Sequence, residues 1–212
     1  VDTPACLRLD PDWVVVDKPA GLASIPEGDL AAPCALRAVE AHLAGRLWIV
    51  HRLDKEVSGV LIFARNAAAH RHLCMAFEQR TVRKRYHAIA NGVIAADAGT
   101  LDAPLRTFGS GRTGVDRVAG LPSRTDFVVV RRLAAATEVD IELHTGRKHQ
   151  IRAHFYAYGH PILGDRRYGD REAAQAWPRL FLHAQSLAFP GLDGSGTVEV
   201  AAPVPWDPPF PA

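Results

Sequence analysis

The chain has 212 residues, 48% of them hydrophobic, and a formal net charge of only +2. That length supports one large domain or two small ones with a sizeable core. The near-neutral balance means that any polyanion site must come from local charge asymmetry.

In chain order, Trp13-Val14-Val15-Val16 reads as a strand that Asp17-Lys18-Pro19-Ala20-Gly21 then breaks. Residues from Ala35 to Ala44 have Leu36, Val39 and Leu43 at helical spacing, with Gly45 as a stop. Two apolar segments, Leu47 to Val50 and Val60 to Phe63, read as short buried strands. Asn66 is positioned to N-cap a helix running to about Gln79, with Leu73, Ala76 and Phe77 on its apolar side. Lys84 to Asn91 alternates as a strand, Tyr86, Ala88 and Ala90 facing one way and His87 and Ile89 the other. Gly99 to Leu105 is a short extended piece, and Gly109 to Pro122, rich in Gly and charge, reads as a mobile loop.

The clearest strands are Asp126 to Arg132 and Thr137 to His144. In the second, Val139, Ile141 and Leu143 alternate with Glu138, Asp140 and Glu142, the pattern of an antiparallel sheet with one wet face. A helix is expected from Lys148 to Gly159, a strand over Leu180 to Phe189 and an edge strand over Thr197 to Ala201. The Pro-rich tail, residues 203–212, cannot extend a helix or a central strand. The expectation is a mixed α/β (α+β) fold, one domain over residues 1–212, with a mainly antiparallel central sheet flanked by helices and loops.

Cys6, Cys34 and Cys74 are an odd number without C-x-x-C spacing. That argues against a disulfide framework and a structural zinc site, and a reducing, cytoplasmic setting is expected. No apolar run approaches the ~18 residues of a membrane span, and no signal peptide is visible ahead of the first strand. His144, His149 and His154 are five apart and do not stack on one helical face, and His70 and His72 point apart, so no metal site is expected. No Gly-x-Ser-x-Gly elbow and no phosphate loop of the Gly-x4-Gly-Lys type is present.

Four charged blocks stand out. His51-Arg52-Leu53-Asp54, followed by Ser58-Gly59, places a carboxylate between two apolar segments, where it is costly unless paired or at work. A plain turn with a surface Arg–Asp pair is the alternative. Thr145 to His154 follows the best strand and opens a helix, a place where backbone donors suit an anion, with Arg147 and Lys148 adding positive charge. A basic first turn on a solvated face is the plainer account. Arg83-Lys84-Arg85-Tyr86 joins cations to an aromatic face, which suits RNA, or else protects an edge strand. Gly164-Asp165-Arg166-Arg167-Tyr168-Gly169 adds phosphate contacts or is simply a polar loop.

Together these blocks resemble the RluA family of RNA pseudouridine synthases over nearly the whole chain. Val16 to Leu22 looks like the family's opening block, His51 to Asp54 with Ser58-Gly59 like its catalytic block, and Lys84 to Ala88 like its tyrosine block. Thr145 to His154, His160 to Asp165 and Leu182-His183-Ala184 complete the family order. Two departures are Val57, where the family usually carries Thr, and no S4-type extension ahead of Val14, as in the compact members.

The resemblance implies a cofactor-free and metal-free isomerase of uridine in tRNA, large-subunit rRNA or both; a monomer is the default expectation for the chain. Asp54 would be the catalytic carboxylate, attacking C1′ or assisting loss of a C2′ proton to give a glycal. Arg152 would pair with Asp54 and keep it ionised, and Tyr86 would stack on the flipped uracil. Arg52 would fill the gap left by the base and Leu182 would wall its pocket. Phosphate contacts would come from Arg83, Arg85, Arg147 and Lys148, and His51 would order the turn. Two other classes remain open: an RNA-binding helper that keeps the fold without turnover, and a glycosidase using Asp54 with Glu56.

Overall fold

The computed structural model describes residues 3–27, 31–194 and 196–206. Most of the tail expected to be irregular, residues 207–212, lies outside the described residues. The elements in chain order are β1 (Ala5–Leu9), β2 (Trp13–Lys18), α1 (Ala35–Leu43), β3 (Trp48–Ile49), β4 (Ser58–Ala64) and α2 (Ala67–Glu78). Then come β5 (Arg83–Asn91), β6 (Ala98–Leu101), β7 (Leu105–Thr107), β8 (Thr113–Val115), β9 (Thr125–Arg132) and β10 (Ala136–Leu143). The chain finishes with α3 (Gln150–Ala157), α4 (Arg171–Gln175), β11 (Leu182–Pro190) and β12 (Thr197–Ala201). This is the expected mixed α/β class, and every strand pairing described in the sheets is antiparallel.

The residues group into two compact units, Val1–Lys84 with Ala184–Val204, and Arg85–His183 with Pro205–Ala212. In the first unit β2 pairs with β1 on one side and β4 on the other, with Val14 opposite Phe63 and Val16 opposite Leu61. β4 is buried along its whole length, which its continuous apolar run requires of a central strand. One core gathers Trp13, Val15, Val60 and Ile62 with Leu73 and Ala76 of α2 and Phe189 of β11. Trp13 meets Phe189 edge to face at 5.2 Å between ring centroids. α2 starts where its cap predicts, since Asn66 Oδ1 accepts the Ala69 amide at 2.9 Å.

In the second unit β10 is flanked by β5 and β9, and β6 closes the far side of β9. Val139, Ile141 and Leu143 are buried as their alternation predicts. Glu138, expected on the wet face, is also buried, because it accepts from Arg131 and lies against His87.

The structure corrects other local expectations: β3, read as part of a buried strand, is only two residues long and leaves Ile49 exposed. α1 ends on Ala44, which takes the left-handed conformation at φ 49°, one residue before Gly45. α3 starts at Gln150, with His149 left-handed ahead of it, two residues later than the charge pattern placed it. The stretch read as a loop from Gly109 to Pro122 contains β8, which pairs with β7 in a separate hairpin.

Candidate active site

The loop that carries Asp54 is fastened on both sides of that residue. Ser24 Oγ donates to the Leu53 carbonyl at 2.8 Å and accepts the Leu53 amide at 3.0 Å. On the other side the Lys55 carbonyl accepts from the Gly21 amide at 2.8 Å and from Lys18 Nζ at 3.2 Å. Lys18 is fully buried, and its ammonium also donates to the carbonyls of Leu22 at 2.7 Å and Pro19 at 3.0 Å. A buried ammonium costs several kcal/mol unless such acceptors meet it, so Lys18 makes the opening block a rigid clamp. The Val57 amide returns to the Asp54 carbonyl at 3.1 Å, and the Val57 side chain is buried. Asp54 itself is half-buried. An open cleft of about 490 Å³ borders the loop, lined by Pro19, Gly21, Leu22, Glu27, Pro33 and Lys55 among others.

Gly59 follows the loop at φ +113°, a conformation that side chains disfavour. A Cβ there would lie 2.2 Å from the Ala184 carbonyl oxygen. The Ser58-Gly59 pair thus serves close backbone approach inside the first unit.

His51 is structural, as expected. Its Nε2 accepts the Ile62 amide at 3.2 Å, and its ring stacks on Phe77 at 4.8 Å and 21°. Burial first, and the nearby charge of Lys84 second, push the imidazole pKa down to about 3, so it is neutral at ordinary pH. Arg52 is half-exposed and forms an ion pair with Glu27.

Arg152, from α3, is 3% exposed and meets Asp165 in a bidentate pair, Nε to Oδ2 at 2.7 Å and Nη2 to Oδ1 at 2.9 Å. Fork-to-fork pairs fix a guanidinium in one plane. Asp165 Oδ1 also accepts the amides of Arg167 at 2.9 Å and Tyr168 at 3.1 Å, and the Arg152 guanidinium carbon lies 5.3 Å from the Tyr168 ring centre. Gly164 is left-handed at φ +75°, where a Cβ would strike the Arg179 carbonyl at 1.9 Å. The loop that carries Asp165 therefore also supports Arg152.

The block opening α3 is held by Gln150. Its Oε1 accepts from Thr145 Oγ1 at 2.7 Å and the Arg147 amide at 3.1 Å, while Nε2 donates to the Arg124 carbonyl and Thr125 Oγ1. His154 is buried, with Nε2 on the Ala103 carbonyl and Nδ1 on Thr125 Oγ1, each at 2.9 Å. A carbonyl only accepts, so Nε2 carries the proton and the hydroxyl donates to Nδ1. Burial accordingly lowers the pKa of His154.

Tyr86 is half-buried on β5 opposite Ile141, and Leu182 is buried at the start of β11. Arg83 is exposed and pairs with Glu199 at 3.4 Å, and exposed Arg85 stands opposite Glu142 in the ladder. Lys148 is exposed, and Arg147 is half-buried with Nη2 on the Pro122 carbonyl at 3.4 Å. Among the described residues neither has a carboxylate partner. Asp54, Arg52 and Arg83 belong to the first unit, and Tyr86, Arg85, Arg147, Lys148, Arg152 and Leu182 to the second. The sequence alone gave Lys18, Ser24, Asp165 and Tyr168 no part in holding the site in place. Lys18, a charge closing an apolar strand, was the one visible signal. Among the described residues no group of three His, Cys, Asp or Glu side chains is placed to hold a metal, and no helix is long and apolar enough to cross a membrane.

A family model described as RNA pseudouridylate synthase matches residues 12–157. An uncharacterized RNA pseudouridine synthase of Mycobacterium bovis is 39% identical over 213 residues, covering 95% of this chain and 69% of that protein. Ribosomal large subunit pseudouridine synthase C of Vibrio cholerae is 37% identical over 209 residues, covering 94% and 65%. Among solved structures, human RNA pseudouridylate synthase domain containing 1 superposes with a TM-score of 0.82 at 29% identity, covering 96% of this chain and 84% of that one.

Proposed function

The chain belongs to the RNA pseudouridylate synthase family, isomerases acting on uridine in RNA, and on that premise we propose that it converts uridine to pseudouridine at specific positions of structured RNA. The substrate is tRNA, large-subunit rRNA or both; the Vibrio relative is named for the large ribosomal subunit. The observation that carries the assignment of Asp54 is the clamp from Lys18, Gly21 and Ser24 onto both of its neighbours. A reacting carboxylate must be held in place before the substrate arrives.

In this reading one catalytic domain spans both units. The N1–C1′ bond of the target uridine breaks, the uracil turns, and C5 bonds to C1′; the C5 proton is lost and N1 gains one, so the base is isomerised without a cofactor. Asp54 either attacks C1′, to be displaced when C5 bonds there, or promotes loss of the C2′ proton to give a glycal, the proton returning to C2′ as C5 bonds to C1′. On both routes its negative charge stabilises an electron-poor sugar. Tyr86 stacks on the extruded base, Arg152 contributes a fixed positive charge, and Leu182 provides an apolar wall. Arg52 occupies the gap left in the RNA. Extrusion costs a few kcal/mol, offset by stacking and by phosphate contacts from Arg83, Arg85, Arg147 and Lys148.

The test is release of tritium from transcripts labelled at C5 of uridine. Time-dependent release into water, with no free uracil, supports the isomerase. Free uracil would indicate a glycosidase, and RNA binding without release would indicate a helper.

A further inference from the structure

Tyr168 is 1% exposed, and its two ends do different things. Two guanidinium groups approach the ring, with the carbon of Arg152 5.3 Å and that of Arg112 5.0 Å from its centre. The hydroxyl accepts the amide of Thr113, the first residue of β8, at 2.9 Å. The hydroxyl also shares a hydrogen bond with His149 Nδ1, 3.0 Å away at the start of α3, in which the tautomer of His149 sets the donor. Arg167, the residue before it, donates from Nη2 to the Ser110 carbonyl at 3.2 Å, in the turn of the same hairpin. The hairpin is cationic and aromatic at its tip: Phe108 is exposed, and neither Arg112 nor Arg167 has a carboxylate partner among the described residues.

We propose that Tyr168 is a positioning residue with separable halves: its ring orients the Arg152 guanidinium against Asp165, and its hydroxyl seats the β7–β8 hairpin as an RNA-contacting surface. This rests on the functional reading above, in which Arg152 serves the reaction and cationic surfaces meet phosphate. A guanidinium held by a carboxylate on its edge and an aromatic ring on its face has little freedom left. The hairpin has a short ladder of its own, a pair of backbone hydrogen bonds joins its base at Leu105 to Leu121, and the Tyr168 hydroxyl grips it at Thr113 on the second strand.

Tyr168→Phe removes the hydroxyl and keeps the ring; Tyr168→Leu removes both. Three quantities are read: affinity for a tRNA transcript, single-turnover rate at saturating RNA, and hydrogen exchange at Arg152 Nε by NMR. Tyr168→Phe is expected to weaken RNA binding about tenfold, through the stranded Thr113 amide, with rate and exchange as in wild type. Tyr168→Leu is expected to show the same binding loss together with a rate about tenfold lower and faster Nε exchange. A merely structural tyrosine would lower the melting temperature and leave the folded enzyme's affinity, rate and exchange unchanged, which would overturn the proposal. So would a Tyr168→Phe enzyme with wild-type affinity, and if Tyr168→Leu does not fold, that variant decides alone. A wild type that forms no pseudouridine in any transcript would overturn the functional reading instead, and the exchange and binding measurements would still decide the role of Tyr168.

Discussion

Arg152 and Asp165 meet as a buried bidentate ion pair, Nε to Oδ2 at 2.7 Å and Nη2 to Oδ1 at 2.9 Å. Removing one member of such a pair is more damaging than the pair is stabilising, because it strands a desolvated charge. Asp165→Asn is expected to lower the unfolding free energy by about 3 kcal/mol or more and to abolish turnover. Urea titration followed by tryptophan fluorescence measures the first, and single-turnover kinetics the second.

Ser24 touches the Leu53 backbone on both its donor and acceptor sides. Ser24→Ala is expected to cost about 1–3 kcal/mol of stability and to slow the chemical step about tenfold, with unchanged RNA affinity. Equal rates for variant and wild type at saturating RNA would show that the clamp is not needed to hold Asp54.

Gly59 combines a positive φ with backbone contact from Ala184. Gly59→Ala is therefore expected to destabilise the protein by about 2 kcal/mol or more, far beyond the usual gain from replacing a flexible glycine. Thermal melting reads this directly.

His87 holds Asp140 at Nδ1, 2.7 Å away, and Glu138 at Nε2, 2.9 Å away. Burial alone would push the imidazole down, but the hydrogen bonds and charges of Asp140 and Glu138 together outweigh it and raise the pKa above the ordinary 6.5. A raised pKa in the folded state stabilises fully below the unfolded value and loses that stabilisation as pH climbs through the folded one. Stability of the wild type is thus expected to fall as pH rises above about 6.5, and His87→Gln is expected to flatten that slope. Denaturation midpoints across this range check it.

Arg147 and Lys148 have no carboxylate partner among the described residues. Replacing each with Ala is expected to weaken RNA binding and to reduce the slope of log affinity against log salt by about one for each phosphate that is no longer neutralised. The single-turnover rate at saturating RNA stays as in wild type.

Much of the fold was legible in the sequence because the signals were local. The alternation in β10, the Asn66 cap and the continuous apolar run of β4 each fix an element from its own residues. β1 was missed because its residues are mostly exposed and carry no alternation; it exists as an edge partner of β2. β8 was hidden by the glycines and charges around it, and is made by pairing with β7 and by Tyr168 taking the Thr113 amide. Asp165 looked like part of a polar loop, since its burial depends on a guanidinium on the preceding helix, a tertiary pairing that composition cannot reveal. Lys18 stood in plain view within the opening block, yet its task, gripping the carbonyl next to Asp54, is a tertiary interaction.

The role of Asp54 is tested most directly by carbodiimide mapping of tRNA and rRNA transcripts after incubation with wild type and Asp54→Asn. Reverse-transcription stops at new uridines with wild type, and none with an Asp54→Asn protein that still binds the same RNA, is the predicted result. Identical stops with both proteins would contradict it.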